Sequence, residues 1–310
     1  MKICYFGKFE NNPYAGLEEK PISQALKKLN NEVFELDVAE SDAKEVIDEA
    51  NKTDIFLFHN AGMNLGIEQN LGKLPFYTGL SGLYQLLQAI KPIKVIWYLD
   101  RIVGFGEEFM STILPSIDFA FLNDDTWVRR HKWQNTYGFH QGTTERPLGQ
   151  YRKDLACDIA FIGKIYGGRL EIISKIKQAY GGKFRIFNDI WGKDFDDLCQ
   201  SAKIIFQPKW GMNDFCWSDQ IYHTLSAGGF LLHPRLHGLK EEGFVDGEHF
   251  VGYTIEEELA AAIDFFIKPE NDEKRKLVAQ QGRKYVLDYF TWEMRLKEML
   301  KIIKNNQIKK

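Results

Sequence analysis

Short runs rich in β-branched and aromatic residues alternate along this chain with longer stretches that are apolar on one side only. In the first half the runs are KICYF (2–6), EVFELD (32–37), DIFLFHN (54–60), KVIWYLD (94–100) and SIDFAFLN (116–123). Between and after them lie GLEEKPISQALKKLN (16–30), SDAKEVIDEAN (41–51, with Ser41 as its cap), SGLYQLLQAI (81–90) and DDTWVRRHKW (124–133), all of helical period. Apolar strands separated by helices make a parallel sheet covered on both faces.

QGTTERPLGQYRKDLA (141–156) interrupts this order with turn formers and charges and reads as a linker. The alternation then resumes with CDIAFIG (157–163), KFRIFN (183–188), KIIFQP (203–208) and HFVGYT (249–254) as strands. The helices of this half are GGRLEIISKIKQAYG, KDFDDLCQSA, EEELAAAIDFFIK, NDEKRKLVAQQGRKYVLDYF and a closing TWEMRLKEMLKIIKNN. The pattern predicts an α/β chain of two doubly wound domains, residues 1–150 and 151–290, facing each other across a cleft. Residues 291–310 form a final helix with Trp292, Leu296, Leu300 and Ile303 on one face, expected to cross back to the first domain.

Composition narrows the function classes. With 310 residues, 44% hydrophobic and 14% aromatic, the chain can bury a large core. Its formal net charge of −3 argues against general binding of nucleic acid or membrane surfaces. The opening MKICYFGKF has an apolar run too short for a signal peptide, and no run is long enough to span a membrane. Cys4, Cys157, Cys199 and Cys216 form no CxxC pair and read as reduced thiols of a cytoplasmic protein.

Polar residues gather where strands end. Gly7 opens GKFENNPYAG, His59 opens HNAGMNLG, and Asp100 opens DRIVGFGEE. In the second half Gly163-Lys164 and Gly167-Gly168-Arg169 follow a strand, and Lys209 follows another. A glycine after a strand lets backbone N–H groups approach a ligand, and the next helix N-terminus favours an anion. The three cations together suit a diphosphate.

WSDQIYHTLSAGGFLLHP (217–234) reads as a helix capped by Ser218 or Asp219, turned by Gly228-Gly229 into a strand. Gln220 and His223, three apart, share a helix face. The stretch is either a ligand cradle or a tight helix–strand corner with a core histidine. Asp100 is a candidate base for an acceptor hydroxyl, or else it pairs with Arg101 or caps the next helix. His59 is the second candidate base, with core or capping roles as its alternative. DFDD (194–197) reads as acids at a helix start rather than a metal motif, and no metal is expected. TWVRRHKW interleaves Trp127 and Trp133 with cations, as a nucleic-acid grip or as a solvated face over two packed tryptophans.

Taken together, CDIAFIGKIYGGRLEII, SAKIIFQPKWGMNDFCWSDQIYHTLSAGGFLLHPRLHGLKEEGF, EEELAAAIDFFIK and GRKYVLDYFTWEMR resemble GT-B glycosyltransferases of the CgeB-like, "glycosyl transferases group 1" branch. The first half is similar in architecture and in LFHN, WYLD and FLNDDTW. The resemblance implies a GT-B fold and transfer of a sugar from a nucleotide-diphosphate donor, UDP-linked, to an acceptor hydroxyl, with no cofactor beyond that substrate. The resemblance places the donor on the second half, and with the strand-end and helix-start residues above the donor-site candidates are Gly7, Gly163, Lys164, Arg169, Lys209, Ser218, Asp219, Gln220 and His223. Where the family has a phosphate-binding arginine and a ribose-binding acid, this chain has Gln220 and His223. A more distant likeness to the phage DNA β-glucosyltransferases implies that Asp100 is the catalytic base. The acceptor is a glycan, a small molecule or a modified DNA base. Two other readings stand beside this one, a DNA-base glycosyltransferase and a non-catalytic sugar-nucleotide-binding protein.

Overall fold

The computed structural model describes residues 1–9, 18–38, 40–59, 80–165, 167–209 and 212–307. It divides into two compact units: unit 1 is Met1–Gln141 with Trp292–Lys310, and unit 2 is Gly142–Thr291.

Unit 1 is built on β1 (Lys2–Gly7), β2 (Glu32–Asp37), β3 (Ile55–His59), β4 (Ile93–Tyr98), β5 (Phe119–Leu122) and β6 (Thr136–Gly138). The strands are parallel in the order β2-β1-β3-β4-β5-β6. Alternation of side chains sends Ile3 and Tyr5 to one core and Cys4 and Phe6 to the other. Both faces are covered, which is why these strands are apolar throughout. On one face α2 (Ala43–Ala50), α3 (Leu80–Ala89) and α4 (Phe105–Ile113) pack; on the other lies α1 (Glu19–Lys28). The cap of α2 is Asp42 rather than Ser41, because the Asp42 carboxylate reaches the Glu45 N–H at 2.8 Å. Within α5 (Asp125–His131) Trp127 is buried, while Trp133 beyond it is exposed, so only the first tryptophan of TWVRRHKW packs beneath the helix.

Ten elements of unit 2 are β7 (Cys157–Ile162), α6 (Arg169–Tyr180), β8 (Phe184–Phe187), α7 (Gly192–Ser201), β9 (Ala202–Phe206), α8 (Gln220–Ser226), β10 (Leu231–Pro234), α9 (His237–Glu241), β11 (Val251–Tyr253) and α10 (Glu256–Phe266). The long α11 (Asp272–Tyr289) completes it. Its parallel sheet runs β11-β10-β9-β7-β8. The boundary falls at Gln141/Gly142 rather than at residue 150, since the linker packs on unit 2. Gln150 N–H donates to Asp197 Oδ1 at 2.7 Å, Arg152 N–H to Ser201 Oγ at 2.8 Å, and Arg152 pairs with Asp194.

The closing helix, α12 (Trp292–Gln307), belongs to unit 1. Trp292, Leu296, Met299 and Ile303 are buried there, with Leu300 only partly so. The Trp292 ring meets Trp97 edge-on, and Lys28 pairs with Glu293 at 2.6 Å. The Arg295 guanidinium carbon lies over the Phe139 ring, 3.9 Å from its centre, and the group donates twice to the His140 carbonyl at 2.9 and 3.0 Å.

Candidate functional site

In doubly wound sheets ligands bind outside the carboxyl ends of the strands, where the strand order reverses. In unit 2 that point lies between β7 and β9, and in unit 1 between β1 and β3. The candidate residues of unit 2 and of unit 1 flank these two points.

At the end of β7, Gly163 has φ +126°, a conformation open to glycine and strained for other residues. Its N–H donates to the Phe187 carbonyl at 2.9 Å, which fixes the loop to β8. The exposed Lys164 follows. Arg169, the first residue of α6, turns back and donates from Nη1 to the Lys164 carbonyl at 3.2 Å. A methyl group on Gly163 would lie 3.7 Å from that Nη1, so the guanidinium lies along the loop. Gln220 reaches the same strand end, with Nε2 donating to the Ile162 carbonyl at 3.3 Å. Helix α6 begins at Gly168, which brings no side chain to cap its first N–H groups. Across the switch point, Lys209 is exposed just beyond β9; Trp210 and Gly211 lie outside the described residues. The structure thus joins Gly163, Lys164, Arg169 and Gln220 into one cluster, with Lys209 on the adjoining strand.

The start of α8 differs from the expected cap. Ser218 Oγ accepts from the Gln220 N–H at 3.2 Å and donates to Asp219 Oδ1 at 2.9 Å, whereas the Asp219 side chain makes no cap bond. Asp219 instead pairs with His223 Nε2 at 3.3 Å. Burial works to raise the Asp219 pKa, but His223, Ser218 and the Gln220 N–H outweigh it and hold the carboxyl below its usual value. The other His223 nitrogen, Nδ1, meets Thr143 Oγ1 at 3.2 Å and Arg146 Nη2 at 3.5 Å. His223 is therefore engaged at both ring nitrogens inside unit 2. At the far end of α8, Gly228 (φ +74°) makes the corner, with Gly228 and Gly229 N–H groups bonded to the Leu225 and Thr224 carbonyls.

Sequence reasoning missed the linker's share in this cluster. Arg146 Nη1 lies 3.4 Å from Asp196 Oδ1, and Lys193 donates to Asp197 at 2.6 Å. Only Asp194 of DFDD stands in the first turn of α7; Asp196 and Asp197 are buried against the linker. Burial raises the Asp196 pKa despite Arg146. The signal was three acids in four residues facing a basic linker, too common a pattern to single out. Among the described residues no group of three or more His, Cys, Asp or Glu is arranged to hold a metal ion. Among them also, no helix is long and apolar enough to cross a membrane.

In unit 1, Gly7 and His59 end β1 and β3 side by side with Glu19, at the start of α1. His59 Nε2 is 3.2 Å from Glu19 Oε1, and both side chains are buried. Glu19 also accepts from the Lys8 N–H at 3.2 Å. Burial works to raise the Glu19 pKa, but His59 together with the backbone N–H groups of Glu19 and Lys8 outweighs it and holds the carboxyl below its usual value. A methyl group on Gly7 would come within 2.9 Å of the Glu19 side chain, so Gly7 makes room for this pair. Glu19 was missed because nothing local links it to a histidine forty positions on. Asp100 stands exposed two residues beyond β4, and the cap position of α4 is Gly104, so Asp100 does not cap that helix. The loop residues after Phe9 and after His59 lie outside the described residues up to positions 18 and 80.

Residues 162–301 match the model of the family described as glycosyl transferase-like, and so the second half carries a domain of that kind. The match begins at the end of β7, one residue before Gly163. The fold is that of GT-B glycosyltransferases. Anabaena HepE, in complex with UDP and glucose, is similar in structure with TM-score 0.66 and 11% identity, over 98% of this chain and 100% of that one. The sucrose-phosphate synthase of Thermosynechococcus elongatus is similar with TM-score 0.65 and 11% identity, over the whole of both chains. An alpha-glucosyltransferase in complex with UDP-glucose and DNA containing an abasic site is similar with TM-score 0.68 and 10% identity, over 98% of this chain and 99% of that one. No curated protein matches the chain in sequence.

Proposed function

We propose that this chain transfers a hexose from a UDP-linked donor to the hydroxyl of an acceptor, with unit 2 holding the donor. The observation that carries this reading is the cluster of Gly163, Lys164, Arg169 and Gln220 at the switch point, inside the segment that matches the glycosyl transferase-like family. HepE and the DNA-bound alpha-glucosyltransferase, similar in fold, are complexes with UDP or UDP-glucose, which favours uracil as the base and a hexose as the sugar.

The diphosphate lies against the Gly163 loop and the uncapped first turn of α6, whose N–H groups and dipole favour an anion. Arg169 supplies a planar pair of donors, Lys164 and Lys209 supply point charges, and Gln220 a neutral amide. As the bond from the anomeric carbon to the diphosphate oxygen breaks, negative charge grows on the leaving phosphate. Fixed cations placed there stabilise that charge more than they stabilise the ground state. The acceptor oxygen bonds the anomeric carbon, and Asp100 takes its proton. Asp100 is preferred to His59 because it is exposed at its strand end, while His59 is enclosed with Glu19. With His223 engaged by Asp219, Thr143 and Arg146, the ionised Asp219 is the acid left at the start of α8 to meet donor hydroxyls.

The test is UDP release from a panel of UDP-sugars by purified protein, alone and with glycan, small-molecule and duplex-DNA acceptors. One donor should stand out, and an acceptor should accelerate release. No release from any donor would leave a binding protein rather than an enzyme. A DNA-base acceptor is the second reading, favoured by the similarity to the DNA-bound alpha-glucosyltransferase and opposed by the formal charge of −3. Incorporation of labelled sugar into DNA would establish it.

A further inference from the structure

At the amino end of the unit 2 sheet, opposite the donor cluster, lies a cavity of about 330 Å³. One wall is a face of α11, which presents Arg275, Lys276, Ala279 and Arg283 at helical spacing. The other wall is the end of α7 and the start of β9, with Gln200 and Lys203. Gly228 stands between the walls. A methyl group there would collide with Leu148 and Gln200, at 2.6 and 2.9 Å, and would approach Arg283 at 3.8 Å. The glycine that turns α8 into β10 therefore also keeps this cavity open.

Among the described residues four cations line the cavity, and no carboxylate does. Three have counter-charges beside it: Lys203 pairs with Asp158, Arg275 with Asp272 and Lys276 with Glu273. Arg283 differs. Its Nη2 donates to the Arg146 carbonyl at 2.7 Å, while Nη1 is buried with no hydrogen-bond partner among the described residues. Burial, the larger effect, lowers the Arg283 pKa although Glu145 and Asp196 act the other way. A buried cationic donor without a partner is costly, and an anion beside it removes that cost. Leu148, Phe230 and Ala279 give the cavity an apolar side, so its occupant combines an anionic head with a less polar remainder.

We propose that this cavity is a second site, separate from the donor cluster, for a small phosphorylated molecule whose phosphate meets Arg283 and Lys276. A phosphate fits because it offers several acceptor oxygens to the cations of the α11 wall, with Lys203 on the wall across from them. The site does not depend on the glycosyltransferase reading.

The experiment is calorimetric titration with inorganic pyrophosphate of Arg169→Ala, which weakens the donor cluster, and of Arg169→Ala combined with Lys276→Glu. Lys276 is exposed, so its change leaves the fold intact, and equal melting temperatures check this. The first protein should bind one pyrophosphate, and the second should bind it at least about tenfold more weakly. Arg283→Met should give the same loss. Separate titrations with inorganic phosphate and glucose 1-phosphate tell whether the apolar wall adds affinity. Absence of pyrophosphate binding to Arg169→Ala, or equal binding by the double variant, overturns the proposal. UDP binding to Lys276→Glu is measured alongside: its absence in all proteins would count against the donor reading and leave the pyrophosphate result to stand alone.

Discussion

Replacing Arg295 by Met tests how the last helix is held on unit 1. The residue is 6% exposed, and its guanidinium sends two hydrogen bonds to one carbonyl, that of His140, while lying 3.9 Å from the centre of the Phe139 ring. Methionine keeps most of the aliphatic length and removes the charge and the donors. Because both bonds share one acceptor, they count as one charge-assisted contact of roughly 2 kcal/mol. A desolvated cation over an aromatic ring adds about 1–2 kcal/mol. The expected loss is therefore about 3–4 kcal/mol, or roughly 6–15 °C in melting temperature for a unit of this size. Urea unfolding followed by tryptophan fluorescence reports it, since Trp97 and Trp292 pack together beside this contact. His140 is kept neutral mainly by burial and secondarily by Arg295 and Arg129, so the variant should keep most of the wild-type pH dependence at a lower overall stability. A variant melting within about 1 °C of the wild type would refute the idea that this contact fastens α12.

Three further outcomes are expected. Burial holds His140 at a pKa of about 3 and His233 at about 4, so both stay neutral in the fold while the unfolded chain takes up protons below its ordinary value near 6.5. The unfolded state thus gains protons first as pH falls, and stability should drop by roughly 2 kcal/mol per histidine between pH 7 and 5; His233→Asn should flatten the part belonging to unit 2. Asp100→Asn should lower turnover about 10²–10⁴-fold with donor affinity unchanged, and full turnover would place the base elsewhere. His223→Ala should lower the melting temperature of unit 2, because Asp219 loses its pairing with the ring and Thr143 and Arg146 lose a shared neighbour, while UDP affinity changes by less than about threefold; a large loss of affinity would make His223 a donor contact.

The parallel sheets were legible because strands buried on both faces are written as unbroken apolar runs, as in KICYF and KIIFQP. Gly163 was legible as a turn for a similar reason: a strand followed by glycine and a cation is a local signal, and its φ of +126° is one that favours glycine. The Ser41 cap failed over one residue, where two good capping residues adjoin and geometry chooses Asp42. Contacts between distant positions left no trace. Nothing near His223 announces Thr143 or Arg146, and nothing near His59 announces Glu19. Such pairs are set by how the helices settle on the sheet, which periodicity does not specify. The short α9 and β6 were missed because neither is long enough to show a period.

The central claim is that unit 2 holds a nucleoside diphosphate on the loop between Gly163 and Arg169. Its most direct test is calorimetric titration of the full chain and of Arg169→Ala with UDP. Loss of one charge-assisted contact should weaken binding about ten- to hundredfold, with the two proteins' melting temperatures compared to check that the fold is kept, since Arg169 is partly exposed and donates to a loop carbonyl. Equal affinity in the two proteins, or no binding of UDP by the wild type, would contradict it.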